Sequence, residues 1–597
     1  MIVSRPSRRR SLRLLALLGA IAAGAPAAMA QTTAPVLPAA TAGAPIQLLP
    51  GPVEPADAAP IESPPESLTA DTRAPTGIQV EAIGSGAGYG GTLDPDDGGL
   101  GIDMWQGTDR ATAATLLPRL PSPGSSPVLR GLVRRLLLSA AEAPSGEGGA
   151  NLLALRAERL RALGNIADMK SFLAILPQRP DDPAIARFRL ETAWLAGDLE
   201  AACAEVGALL PQFPDAIDLQ EAQVFCQAVA GQVKESQLGA SLLREQGVKD
   251  AAFFALLDAV NGYKAHLPED AMPTALALAM AEKAGVAPLA AWASSDDPAI
   301  LARIASATAL PVEARLAAGE RAFAMGVLNA DGLVAIYQAV PADLAALEKL
   351  RALEDAELPP GNRALFYQAI QRTPQSAEKA QLLHRVLELA RGEGGYPAAV
   401  ATEMTVLLQL MPASDLGWFA ADAGRAFYLA GRYERAGAWE NVARLRAPND
   451  RDAAAAVRTL ALLAQIAGGG EPLAWAPDAV EQWRAAQEAA GDPDAAVRAA
   501  RLFAVLAAIG EPVGDRWSLL AGEPSTADPA LRFELAAAAA AGRRAETVAL
   551  AAILLGPNGP AAAHPVLVNE ALAALGQVGL GDEARSLALE TAIASGI

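Results

Sequence analysis

Apolar positions along most of the chain recur at helical spacing. Leu199, Ala202, Cys203, Val206, Leu209 and Leu210 fall at offsets 0, 3, 4, 7, 10 and 11, which places them on one face of a helix. After the break at Pro211-Gln212-Phe213-Pro214, the residues Leu219, Ala222, Phe225, Cys226 and Val229 repeat the pattern. It returns at Leu416, Phe419, Ala423, Phe427 and Ala430, and continues through Tyr433, Ala436, Trp439 and Ala443. Short breaks carrying Gly or Pro separate these runs. Gly164, Gly197 and Gly231 lie 33 and 34 residues apart, the interval of one helix-turn-helix unit. Helix starts are punctuated as well. Asp182-Pro183, Asp297-Pro298, Asp492-Pro493 and Asp528-Pro529 each place an Asp N-cap before a Pro at the first helical position. The pattern predicts an all-α chain from Trp105 onward, an elongated solenoid of about 24 to 28 helices in antiparallel pairs.

The first 104 residues, ahead of this pattern, read differently. Residues 1–30 combine a basic start, an apolar run from Leu14 to Ala25, and Ala28-Met29-Ala30 before the expected cut, the order of an export signal. Ser7-Arg8-Arg9-Arg10-Ser11-Leu12-Arg13 is also similar to a twin-arginine signal, so the Sec and twin-arginine routes both stay open. Residues 31–104, rich in Pro and then in Gly, read as a disordered leader with too few large side chains to offset the entropy of ordering. Within it, residues 77–82 alternate like a short extended stretch. The helical part is expected to divide into blocks 105–357 and 358–597, at Leu358-Pro359-Pro360-Gly361, with a hinge at 468–473 around Gly468-Gly469-Gly470. No later run of apolar residues is long enough to span a membrane.

Two stretches resemble a known family. Gly197-Asp198-Leu199-Glu200-Ala201-Ala202 followed by Pro214, and Gly431-Arg432-Tyr433-Glu434-Arg435-Ala436 followed by Pro448, look like the turn and second helix of a tetratricopeptide repeat. Gly542 and Gly581 sit in similar turns, while between about 250 and 410 helices alternate but the period drifts. The chain is also similar to exported Ala-rich helical proteins of alphaproteobacteria. The repeat resemblance implies binding of a protein or peptide and supplies no catalytic residue.

Composition refines this picture. Apolar residues make up 52 % but aromatics only 5 %, so the helices are expected to meet along thin, Ala-lined seams. The net charge is −19, and removing residues 1–30, with five arginines and no acids, would take it to −24. Such a surface repels phosphate backbones, which argues against nucleic acid as a partner. Cys203 and Cys226 lie on consecutive helices of one hairpin. They read as a disulfide in an oxidising compartment, or as two buried thiols. His266, His384 and His564 are isolated and form no metal-ligand or triad spacing. Gly98-Gly99-Leu100-Gly101-Ile102-Asp103 is a single copy of a calcium repeat that works through tandem stacking, and it reads as an acidic Gly-rich hinge. No catalytic, cofactor-binding or metal residues are assigned, and no cofactor is expected.

The function expected from the sequence is that of a non-enzymatic periplasmic scaffold or adaptor holding an envelope protein or peptide, with Tyr428, Trp439 and Trp483 as contact candidates. Two alternatives stand beside it. One is a carbohydrate-binding helper in polysaccharide export or wall remodelling, gripping glycan through exposed Trp or Tyr. The other is an enzyme of unrecognised type, which requires a pocket where polar groups from distant helices converge.

Overall fold

A computed structural model of the protein describes residues 90–597 apart from 123, 265, 309, 343–358, 393–394, 469–477, 514–516 and 523–524. The signal at 1–30, the stretch at 77–82 and most of the leader therefore lie outside the described residues, as does most of the 468–473 hinge. Among the described residues there are 26 α-helices and no strand, only isolated bridges at Leu93–Ser139 and Asp109–Ser145. No described helix is long and apolar enough to cross a membrane.

The local punctuation has physical partners. Asp182 accepts from the Ala184 N–H (2.9 Å), Asp297 from Ala299 and Ile300 (3.0 and 3.2 Å), and Asp528 from Ala530 (2.9 Å). Asp492-Pro493 behaves differently. Asp492 accepts from the Asp494 N–H (3.0 Å), Pro493 remains in the turn, and the helix starts only at Ala495. Gly164 and Gly197 end the helices Leu152–Leu163 and Pro183–Ala196 with φ of 74° and 75°, a left-handed conformation that a side chain disfavours. Gly581 instead opens the helix Gly581–Ala594, and the left-handed residue of that turn is Gly579.

Helices joined by short turns pack on each other. Pro298–Ser306 lies on Val312–Ala324, and Tyr433–Arg446 on both Ala420–Leu429 and Arg451–Ala467. Small residues allow the close approach: a Cβ at Gly424 would come within 2.4 Å of Leu460. In one of these hairpins Cys203, on Leu199–Leu209, is disulfide-bonded to Cys226, on Ile217–Val229. The bridge closes a short loop, so Cys203→Ser/Cys226→Ser is expected to cost about 3 kcal/mol, read as a lower denaturant midpoint at equal slope. Reductant should lower the wild-type midpoint alone. An unchanged midpoint in both comparisons would mean that the bond adds nothing.

The array departs from an open rod. Helix Pro127–Leu138 packs on Arg544–Leu555 and on Gly581–Ala594, so the first helices of the described chain meet the last. Farther in, Leu152–Leu163 packs on Pro298–Ser306, and Pro183–Ala196 on Ala275–Ala284. One contiguous apolar core runs from Leu100 to Ile597. The blocks 105–357 and 358–597 are continuous within it, because Ala330–Ala339 packs on Pro360–Arg372 and on Tyr396–Gln409.

The last part of the stretch expected to be a leader is folded. Residues 90–104 are folded onto the helices, with Leu100 and Met104 buried. Leu138 O accepts from the N–H groups of Thr92 and Leu93 (2.8 and 3.1 Å), and Leu93 O accepts from Ala140 (2.8 Å). Glycine permits this contact, since a Cβ at Gly91 would lie 2.1 Å from Ala140 N.

Candidate functional site

Polar contacts add to the apolar packing along the seam between the first and last segments. Met104 O accepts from the Ala545 N–H (2.9 Å), Leu100 O from Arg544 (2.6 Å), and Ser125 donates its N–H to Pro557 O (2.8 Å). Thr108 donates to Glu546 (3.0 Å), and Arg135 reaches both Gly98 O (2.6 Å) and the carboxylate of Glu583. The Gly-rich run read as a calcium-like hinge thus serves as a bracket across the seam.

Next to it, Ser126 caps Pro127–Leu138 by accepting from Leu129 (3.2 Å) and donates its own hydroxyl to Glu590 (2.9 Å). Glu590 also receives the Val128 N–H (3.4 Å). Burial pushes the Glu590 carboxyl up, against the opposing hydrogen bonds from Ser126 and Val128 and the charge of Arg130. Arg130 spreads one nitrogen over the carbonyls of Gly124, Ser125 and Ala324 (2.6, 3.0 and 3.0 Å). That side chain passes over Gly326, where a Cβ would meet it at 2.5 Å.

These residues form one wall of a cavity of about 960 Å³. Other walls come from Val312–Ala324, from the first turns of Pro360–Arg372 and Tyr396–Gln409, from the turn at 428–433, and from Gly581–Ala594. Apolar groups dominate the lining, among them Val128, Phe323, Leu328, Val400, Met404 and Leu589. The volume is near the upper end of ligand pockets, roughly 300–1,000 Å³, and the apolar walls with few polar groups match their usual character.

The charged groups on the walls are committed to partners. Glu320 accepts from the Tyr337 hydroxyl (2.5 Å) and pairs with Arg363, while Arg321 donates to Ser295 O and Asp296 (both 2.9 Å). Burial, then the Glu320 charge, holds the Tyr337 phenol well above its usual pKa, which leaves it a poor acid. This arrangement can enclose and orient an apolar ligand. None of the described residues that line the wall pairs a hydroxyl with a histidine.

The three contact candidates are separated by the fold. Tyr428 lines the cavity, with only 2 % of its surface exposed and its ring 6.2 Å from Tyr433. Trp439 is 1 % exposed and belongs to the core, edge-on to Phe419. Its helix turns the face bearing Ala436, Trp439 and Ala443 inward, so it is not placed to touch a partner. Trp483 is half-buried and lines a different cavity of about 310 Å³ with Arg425, Gln465 and Gln482. The exposed aromatics Tyr263 and Trp418 line neither cavity.

The histidines follow the tertiary structure. His564 caps Pro565–Gln577 through its ring nitrogen, and His266 is exposed. His384 meets the buried carboxylate of Asp422 at 2.6 Å, a bond that raises the imidazole pKa. Glu388 lies 3.8 Å from its other nitrogen, so two carboxylates flank the ring. Sequence reading had no access to this pair, because 38 residues separate its members. No protein-family model, no curated protein and no solved structure matches the chain.

Proposed function

We propose that the protein is an exported, non-enzymatic scaffold of the cell envelope that seats an apolar segment of a protein or peptide partner in the seam cavity. The observation that carries this reading is the cavity itself: about 960 Å³, walled by apolar side chains drawn from segments between Ser125 and Glu590. Its charged groups already have partners within the protein, which favours holding over turnover. A tetratricopeptide-like arrangement of helix pairs is part of the proposal, supported by the left-handed glycines at Gly164, Gly197 and Gly231 and by the packing of neighbouring helices. Periplasmic location is likewise proposed, in keeping with the basic-apolar-small order of residues 1–30 and with the disulfide.

Filling the cavity tests the idea. Ala401 lines it on Tyr396–Gln409 and is only partly buried, so Ala401→Trp adds bulk into open space. The variant is expected to keep wild-type helix content by circular dichroism. In proximity labelling from intact envelope it should lose the proteins that wild type enriches over a cavity-remote control, Asp96→Asn. Equal enrichment by Ala401→Trp and wild type would remove the seam cavity as the seat.

A further inference from the structure

A second cleft lies away from the seam, and no residue lines both. It has a volume of about 490 Å³ and lies among Pro183–Ala196, Ile217–Val229, Ala251–Val260 and Ala275–Ala284. Five carboxylates line it (Glu191, Asp218, Glu221, Asp250 and Asp297) against two guanidinium groups, Arg161 and Arg187.

Arg161 is fully used, bridging Glu191 and, through two nitrogens, Asp297 (2.6 and 3.0 Å). Arg187 is exposed and comes no nearer than 3.8 Å to Asp218. Asp250 caps its helix by accepting from Phe253 (2.8 Å) and makes no ion pair among the described residues. Glu221 makes no ion pair among the described residues. Burial, then Asp250 and Asp218, pushes its carboxyl up to about 7. Three acids around one space with a single weak counter-charge leave a site complementary to a cation.

A buried donor in the lining narrows the chemistry. Trp194 is 3 % exposed and lines the cleft, yet its indole N–H has no hydrogen-bond acceptor among the described residues. A buried donor without an acceptor costs free energy, which an occupant carrying a carbonyl would recover. Among the described residues, no three His, Cys, Asp or Glu side chains are grouped to hold a metal ion. The carboxylates are thus better arranged for the spread donors of an organic cation.

We propose that this cleft docks a basic residue of a partner polypeptide, its ammonium or guanidinium set against Asp218, Glu221 and Asp250 and its backbone carbonyl turned toward Trp194. The inference stands independently of the seam cavity. A simple polyamine supplies the charge but no acceptor, and is the discriminating comparison.

The test is fluorescence anisotropy of a labelled peptide, two lysines flanked by glycines, on the full exported chain. It is run in about 150 mM salt, where the screening length is about 8 Å. Glu221→Gln and Asp218→Asn are each expected to weaken binding about tenfold, the worth of one charge-assisted hydrogen bond. The exposed acids changed in Asp96→Asn/Asp97→Asn should leave binding unaltered. Glu221→Lys should abolish it by placing an ammonium in the cleft. If Glu221→Gln does not fold, Asp218→Asn, at an exposed first-turn position, carries the test. Equal weakening by the control pair would assign binding to the diffuse negative field and overturn the proposal. So would absence of peptide binding, competition by calcium at low concentration, or spermidine binding as tightly as the peptide.

Discussion

Replacing Trp439 with alanine is expected to destabilise the protein by about 3–5 kcal/mol, the range for truncating a fully buried large aromatic. The indole is 1 % exposed and meets Phe419 edge-on with ring centres 5.8 Å apart. Its helix, Tyr433–Arg446, is sandwiched between Ala420–Leu429 and Arg451–Ala467. The neighbours on the buried face of that helix include Ala436 and Ala443, too small to fill the space left behind. Trp439→Phe should cost far less, under about 1.5 kcal/mol, because it keeps most of the apolar contact. It also removes an indole N–H that has no acceptor among the described residues. Denaturant midpoints at constant slope separate the two variants. A loss below about 1 kcal/mol for alanine would show that the three helices close up around the gap.

The same residue shows what could be read in advance. The offsets Ala436, Trp439 and Ala443 defined an inward face correctly, but a single helix does not say whether that face meets the core or a partner. Local features were legible because their physics is local. Asp182, Asp297 and Asp528 cap the helices that follow them, left-handed glycines end helices at Gly164 and Gly197, and Cys203 meets Cys226 across one hairpin. Asp492-Pro493 has the same sequence signature yet stays in the turn, so the signature alone does not place the first helical residue.

The closure of the array was not legible. It depends on contacts such as Thr108 with Glu546 and Ser126 with Glu590, more than 430 residues apart. Without an alignment of pairs, nothing along the chain announces them. The Gly-rich stretch misled for a different reason. Its composition resembles that of disorder, but Leu93, Leu100, Met104 and Trp105 are spaced anchors, and its glycines let backbone lie against backbone at Ser139 and Ala140. The candidate site inherits both problems: Tyr428 was found on the cavity wall, while Arg130 and Glu590 gained meaning only once the seam was closed.

On the buried face of Tyr396–Gln409, the helix that also lines the cavity, Glu403 leads to the second large effect: stability that falls as pH rises, and a Glu403→Gln variant that loses this dependence. Glu403 is 2 % exposed, and one of its carboxyl oxygens has no hydrogen-bond partner among the described residues. Burial alone pushes its pKa from 4.5 up to about 8. Below pH 4.5 the group is protonated in both the folded and the unfolded chain; above about 8 it is ionised in both. Between these limits only the folded chain keeps the proton. Its contribution is therefore fully present below the unfolded pKa and is lost as pH rises through the folded one, at about 1.4 kcal/mol per pH unit. The full span, from 4.5 to about 8, is on the order of 5 kcal/mol. His384 and Glu221, both with raised pKa values, add slopes of the same sign, so the wild-type curve alone does not isolate Glu403. The difference between wild type and Glu403→Gln does. Glutamine keeps the shape and stays neutral, so the variant should gain on wild type as pH rises from 5 to 8 and hold its advantage above that. Parallel stability curves for the two proteins across this range would mean that the Glu403 carboxylate is neutralised by a cation or solvated by water.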